Sequence, residues 1–129
     1  MNDELFNLGL EIRKSVLGKE YVEKSIASAD EFNRPLQELV TEYCWGAVWG
    51  REELPKKTRS MLNLAMLSAL NRPHEFKIHV QGALRNGVSK AEIREVLLAV
   101  MIYCGVPAAV DAFRNAREAI AEFEKNGGK

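Results

Sequence analysis

Two histidines, His74 and His79, are the side chains of this sequence best suited to transfer a hydrogen ion near neutral pH. His79 stands between two β-branched apolar residues in a segment with helical spacing, and Glu75 precedes it by four positions. A carboxylate at that spacing can accept from the ring and fix its tautomer. His79 is therefore either a proton-transfer residue or a hydrogen-bonded core histidine. His74 follows Pro73 and is either a helix-cap or surface residue or part of a binding site.

The central part of the chain is basic, although the whole chain carries 18 basic and 18 acidic residues. Residues 51–72 include five basic and two acidic side chains, a local excess of three positive charges. Arginine suits carboxylates because its planar guanidinium donates two parallel hydrogen bonds. Arg59 opens an otherwise apolar segment, where its burial is costly unless it meets an anion. Arg59, Arg51 and Arg72 are therefore candidates for binding a carboxylate, with a structural or solvated role as the alternative for each.

Three further side chains complete the candidate site. Glu42 lies one predicted turn before Trp45 and two before Trp49. The carboxylate would anchor an arginine, donate a hydrogen ion if apolar neighbours favoured its neutral form, or simply lie exposed on a helix. Trp45 is expected to form a pocket wall or a subunit contact. Asn63 is a candidate donor to a substrate oxygen that gains negative charge.

The overall composition excludes several classes of function. The absence of a net positive charge argues against nucleic acid as a partner. No apolar run approaches the roughly 18 residues of a membrane span, and no signal-peptide pattern opens the sequence. Cys44 and Cys104 form no CxxC pair, so we expect two buried small side chains and no metal site. These features predict a cytoplasmic protein.

Apolar residues recur at helical spacing along most of the chain, and no segment alternates with period two. We predict an all-α single domain over residues 1–129 with about six helices. They run approximately over 4–17, 35–49, 56–70, 73–85 and 90–104, and a last one follows Pro107. Ser89 and Glu92 have the spacing of a capping box.

The predicted helices over 56–70 and 90–104 carry apolar residues around much of their circumference. Such helices are buried on several sides. A chain of 129 residues would not normally cover this much apolar surface. We therefore predict an obligate homo-oligomer and leave open whether it is a trimer or a hexamer.

Three strings in order give the sequence a specific resemblance: EYCWG from Glu42, NRPHE from Asn71, and YCGVPAA from Tyr103. With the segment around Arg59 and with His79, they resemble the 4-carboxymuconolactone decarboxylase family over about residues 5–124. The resemblance implies an alkylhydroperoxidase D-like helical fold that assembles into oligomers. It also implies an enzyme of aromatic-compound catabolism, in the protocatechuate branch of the β-ketoadipate pathway.

The resemblance further implies decarboxylation of a small dianionic lactone, 4-carboxymuconolactone, to 3-oxoadipate enol-lactone and CO₂ without a cofactor. In this reaction His79 or Glu42 would deliver the hydrogen ion. The residues that would bind the substrate are Arg59, Arg51, Arg72, Trp45, Asn63 and His74.

The wider superfamily offers one alternative activity. Its alkylhydroperoxidase D-like members carry a C-x-x-C-x-x-x-H motif, and alignment on His79 puts Arg72 and Glu75 at the cysteine positions. A thiol-dependent oxidoreductase would instead need Cys44 and Cys104 to meet in space. A second alternative is an oligomeric binding module without catalytic activity.

Overall fold

The computed structural model describes residues 1–129, and all of its regular secondary structure is helical, which confirms the all-α prediction. The chain divides into two compact units, Met1–Pro55 and Lys56–Lys129. None of the helices is both long and apolar enough to cross a bilayer. The first unit contains α1 (Asp3–Leu17), α2 (Lys19–Ala27), α3 (Arg34–Leu39) and a π-helical segment (Val40–Val48); the second contains α4 (Lys56–Ala69), α5 (Pro73–Arg85), α6 (Lys90–Cys104) and α7 (Val106–Lys125).

The first unit is organised by the packing of α1 on the π-helical segment. Helix α1 begins where the Asn2 side chain accepts a hydrogen bond from the Leu5 amide at 3.1 Å, and it ends at Gly18, whose φ is 97°. An asparagine cap and a glycine stop are local signals, so the bounds of this helix agree with the prediction. Helix α2 was not predicted, because it has nine residues and buries only Val22, too few for an apolar stripe.

The helix predicted over 35–49 is instead a short α3 followed by the π-helical segment. Its wider turn is visible where the Trp49 amide donates to the Cys44 carbonyl, five residues back, at 2.9 Å. Thr41 and Gly46 are also five residues apart, and both approach Gly9 of α1. The wider turn therefore places the backbones of Thr41 and Gly46 against Gly9.

Glycine permits this approach between α1 and the π-helical segment. A Cβ atom on Gly9 would lie 1.9 Å from the Thr41 carbonyl oxygen, and one on Gly46 would lie 2.4 Å from the Leu5 carbonyl oxygen. The atoms in the way belong to the backbone, so they cannot turn aside as a flexible side chain would. Any larger residue at either position must separate the two helices.

The second unit packs its four helices around one apolar core. Helix α6 begins at the predicted capping box: the Glu92 amide donates to the Ser89 hydroxyl at 3.0 Å, and the Ser89 amide donates to the Glu92 carboxylate at 2.9 Å. The core itself is formed by Leu64, Phe76, Val80, Ala83, Val88, Ile93, Leu97, Ala112, Ala116 and Ala119.

The prediction that α4 is buried on several sides is not met within the single chain. Leu62 and Met66 of α4 and Leu70, directly after its end, follow one another at four-residue spacing, and all three are exposed. Tyr103 at the end of α6 is 88% exposed. The apolar residues on the outer faces of these helices are exposed because the core of the unit covers only one side of each helix. The homo-oligomer that would cover these faces stays a prediction.

Replacing Gly9 by Ala should destabilise the protein by about 2 kcal/mol or more, because the new methyl group overlaps the Thr41 carbonyl. Urea denaturation of both proteins measures the difference. Asn7→Ala, at an exposed position on the same helix, is the control and should change the free energy of unfolding by only a few tenths of a kcal/mol. Equal stability of the two variants would contradict the close helix contact.

Candidate active site

The second unit brings two of the predicted site residues into direct contact. His79 of α5 is buried, and Asn63 of α4 places its amide nitrogen 3.3 Å from the ring atom Nδ1 of His79. An amide nitrogen can only donate, so a hydrogen bond between these two atoms requires the tautomer in which Nδ1 accepts. The sequence had suggested Glu75 as the partner of the ring, but Glu75 is exposed on the first turn of α5. The contact comes from the neighbouring helix instead.

Burial determines the protonation state of His79. Phe76 and Val80, on the same helix, belong to the apolar core of the second unit. Removal of water disfavours the charged imidazolium and lowers the pKa of His79 from its ordinary value of 6.5 to about 4. The ring is therefore neutral at pH 7, which differs from the expectation of a histidine that titrates near neutrality.

Arg59 lies one turn before Asn63 on α4 and is half-buried. Side chains four residues apart lie next to each other on a helix surface. This helix face therefore carries the cation Arg59 and the amide Asn63, which reaches His79. Arg59 can offer its positive charge to a carboxylate, and His79 can offer a neutral imidazole to a polar group of the same ligand.

Arg72 and His74 lie at the start of α5, where the chain turns after α4. Arg72 is exposed, and its guanidinium donates to the Leu70 carbonyl at 2.9 Å. Asn71 has a φ of 57°, a conformation that asparagine tolerates better than most residues. His74 is exposed on the first turn of α5. A cavity of about 310 Å³ at this turn is lined by Leu67, Ser68, Asn71, Arg72, Pro73, Phe76, Ala108, Asp111, Ala112 and Asn115.

Glu42 belongs to the π-helical segment of the first unit and is only 5% exposed. Its carboxylate accepts a hydrogen bond from the backbone amide of Asn2 at 2.9 Å. Since Asn2 also caps α1, the buried carboxylate holds the start of that helix. The exposed alternative for Glu42 is thus wrong. Its role in proton transfer stays a prediction.

The two remaining candidates, Trp45 and Arg51, also belong to the first unit. Trp45 is buried, and its ring centroid lies 4.8 Å from that of Trp49 with the planes tilted by 30°. This aromatic pair fills the interior beside the π-helical segment. Arg51 is exposed and forms a surface ion pair with Glu53 at 3.2 Å. Roles of Trp45 and Arg51 in substrate binding stay predictions.

Arg13 is a buried polar residue that the sequence gave no reason to choose. Its guanidinium donates to the Thr41 hydroxyl at 3.2 Å, and Thr41 in turn donates to the Gln37 carbonyl at 2.7 Å. The spacing of α1 marks the apolar residues of its buried face, but it does not separate a buried arginine from a surface one. Thr41 of the neighbouring segment offsets part of the cost of burying this guanidinium.

The cysteines differ from expectation. Both Cys44 and Cys104 are free thiols at exposed positions, so the prediction of two buried side chains is wrong. Partial loss of water raises the pKa of Cys44, and the nearby charge of Arg13 offsets only part of this effect. A raised pKa reduces the thiolate fraction at neutral pH. No group of three or more His, Cys, Asp and Glu side chains is placed to hold a metal ion.

Comparison with known proteins agrees with the sequence strings. Residues 34–118 match the carboxymuconolactone decarboxylase family. The chain is 42% identical to the nitrosuccinic acid decarboxylase of Metarhizium robertsii, over 98% of this chain and 91% of the relative. It is 38% identical to the 4-carboxymuconolactone decarboxylase of Acinetobacter baylyi, over 95% of this chain and 92% of the relative.

The lowered pKa of His79 makes a prediction about stability. Between pH 6.5 and about 4 the unfolded chain binds a proton at His79 that the folded chain does not, so stability falls as the pH drops through this window. The slope from this one group is about 1.4 kcal/mol per pH unit, or roughly 3 kcal/mol over the whole window.

Urea denaturation at pH 7 and at pH 4.5 measures this effect in the wild type and in His79→Gln. The wild type should lose about 2 to 3 kcal/mol more than the variant between the two pH values, because glutamine does not titrate. The carboxylates titrate equally in both proteins and cancel from the comparison. Identical losses would show that His79 keeps its ordinary pKa in the folded chain, and they would contradict this prediction.

Proposed function

We propose that this chain, which belongs to the carboxymuconolactone decarboxylase family, releases CO₂ from 4-carboxymuconolactone without a cofactor. The observation that carries the proposal is the arrangement of Arg59, Asn63 and His79 on two adjacent helices. The relative from Acinetobacter baylyi supports the choice of substrate. The product would be 3-oxoadipate enol-lactone.

The substrate itself can accept the electron pair that the departing CO₂ leaves behind. In this lactone the carboxylate sits on a ring carbon conjugated through an alkene to the lactone carbonyl. When the bond to the carboxylate breaks, its electron pair moves into the ring and forms a furan-like oxyanion. A hydrogen ion then adds to the ring carbon next to the carbonyl. The protein therefore has to hold a dianion, stabilise charge on one oxygen and supply one hydrogen ion.

The residues of the second unit fit two of these requirements. Arg59 would hold a carboxylate of the substrate through its guanidinium fork. His79 would contact the reacting ring, with Asn63 behind it. The hydrogen ion would come from His79 or Glu42. Binding contributions from Arg51, Arg72, His74 and Trp45 belong to the same proposal.

A second substrate is favoured by the relative from Metarhizium robertsii, which is named a nitrosuccinic acid decarboxylase. Nitrosuccinic acid also carries two carboxyl groups, and one of them is attached to a carbon atom that also carries a nitro group. Loss of that carboxylate as CO₂ would place the electron pair on the nitro oxygens. Both substrates are thus dianions that move charge to an oxygen, so the same residues would suit either of them.

Thiol chemistry fits the site less well. Cys44, the thiol with a shifted pKa, has that value raised, whereas a reactive thiol needs it lowered. Relatives named as decarboxylases also disfavour a non-catalytic binding module.

Metal-stripped protein should release CO₂ from 4-carboxymuconolactone, as measured by a coupled assay for CO₂. His79→Ala should lower kcat by about 10²-fold or more, because it removes the side chain that meets the reacting ring. Arg59→Ala should mainly raise KM, because it removes a hold on the carboxylate that exists before and during the reaction.

Lys56→Ala is the matched control for Arg59→Ala, since Lys56 is an exposed cation three residues before Arg59 on the same helix. It should leave both constants near those of the wild type. If the protein released CO₂ from nitrosuccinic acid but not from this lactone, nitrosuccinic acid would replace the lactone as the proposed substrate. No release from either would contradict the proposed function.

We also propose that the active form is a homo-oligomer, because the outer faces of α4 and α6 are apolar in the single chain. Leu62, Met66 and Leu70 form a continuous stripe that a second copy can cover. Sedimentation equilibrium at micromolar concentration should give the mass of several chains, with a trimer and a hexamer as the expected states. The mass of one chain would contradict this proposal.

A further inference from the structure

The contact between Asn63 and His79 assigns the hydrogens on the imidazole ring. The Asn63 amide nitrogen faces Nδ1 at 3.3 Å, and that nitrogen carries only hydrogens. Nδ1 must therefore offer its lone pair. In a neutral imidazole the single ring hydrogen then lies on Nε2.

We propose that Asn63 is a positioning residue that keeps His79 neutral with its hydrogen on Nε2, so that His79 acts as a hydrogen-bond donor and not as the proton-transfer acid. The part of this statement that concerns the reaction rests on the proposed function. The part that concerns the tautomer does not, and it can be tested in the protein without substrate.

The same contact disfavours the charged form of His79. An imidazolium carries hydrogens on both ring nitrogens, so protonation would set the Nδ1 hydrogen against the amide hydrogens of Asn63. Two donors facing each other in a buried place leave both without an acceptor, which is costly. Burial acts in the same direction, since it also disfavours the cation.

A neutral Nε2–H suits the step in which CO₂ leaves. Charge then develops on an oxygen of the substrate, and a fixed donor stabilises that charge most strongly where water is excluded. The donor keeps its hydrogen throughout, so the hydrogen ion that completes the product must come from another group or from water. Asn63 acts through His79 and has no need to touch the substrate itself.

The test of the tautomer uses nitrogen NMR of the whole protein with ¹⁵N-labelled histidine. The chain has two histidines, so a His74→Gln variant assigns the spectrum. We expect the Nδ1 signal of His79 in the range of an unprotonated ring nitrogen and the Nε2 signal in the range of a protonated one. A hydrogen on Nδ1 in the wild type would overturn the proposal, whether or not the protein decarboxylates any substrate.

The matched variant is Asn63→Asp, which keeps the shape of the side chain but replaces the donor by an acceptor. The carboxylate should draw a hydrogen onto Nδ1, and the His79 signals should move accordingly. Asn7→Asp adds the same charge at an exposed position of α1 and should leave them unchanged. Unchanged His79 signals in Asn63→Asp would overturn the assignment of Asn63.

Kinetics separate the two roles of His79. Glutamine cannot deliver a hydrogen ion at neutral pH, but its amide can donate a hydrogen bond. If His79 is a donor, His79→Gln should recover about tenfold or more of the kcat that His79→Ala loses. Equal loss in the two variants, while the wild type releases CO₂, would show that His79 transfers the proton and would overturn this proposal without affecting the proposed function.

Discussion

The hydrogen bond between Asn63 and His79 is the constraint on which the site depends. A neutral imidazole can be buried only if its polar atoms find partners, because an unpaired nitrogen in an apolar core costs about 1 to 3 kcal/mol. Helix α4 supplies the partner to Nδ1. The surrounding core, including Leu64 of α4 and Phe76 and Val80 of α5, keeps water away. The packing that stabilises the second unit thereby also determines the charge of its histidine.

Most of the helices could be predicted from the sequence, because their limits are set by neighbouring residues. Asn2 and Gly18 bound α1, Pro73 stands in the first turn of α5, and the pair Ser89 and Glu92 opens α6. The π-helical segment could not be predicted in this way. Its wider turn accompanies the contact that Thr41 and Gly46 make with Gly9, more than thirty residues away in sequence.

The candidate site was predicted residue by residue but not as an arrangement. The types of His79 and Arg59 pointed to proton transfer and carboxylate binding, because few side chains do either. The partner of the ring is Asn63, sixteen positions away on another helix, and spacing within one helix suggested Glu75 instead. The spacing of Glu42 from Trp45 and Trp49 did not show that its carboxylate binds the Asn2 amide. Contacts between helices depend on packing, which spacing along one helix does not determine.

Under the proposed function, a neutral His79 on α5, the helix packed against the one that carries Arg59, would affect how a dianion is oriented. A charged His79 and Arg59 would each attract either carboxylate, so the substrate could bind in two ways. With His79 uncharged, a carboxylate would be attracted to Arg59, and the ring N–H would donate to an oxygen that becomes charged only during the reaction. A donor of this kind gains most of its interaction energy in the transition state, whereas a second cation would stabilise the bound substrate as well. Under the proposed function, desolvation of His79 would thus favour both the orientation of the substrate and the selective stabilisation of the reaction step.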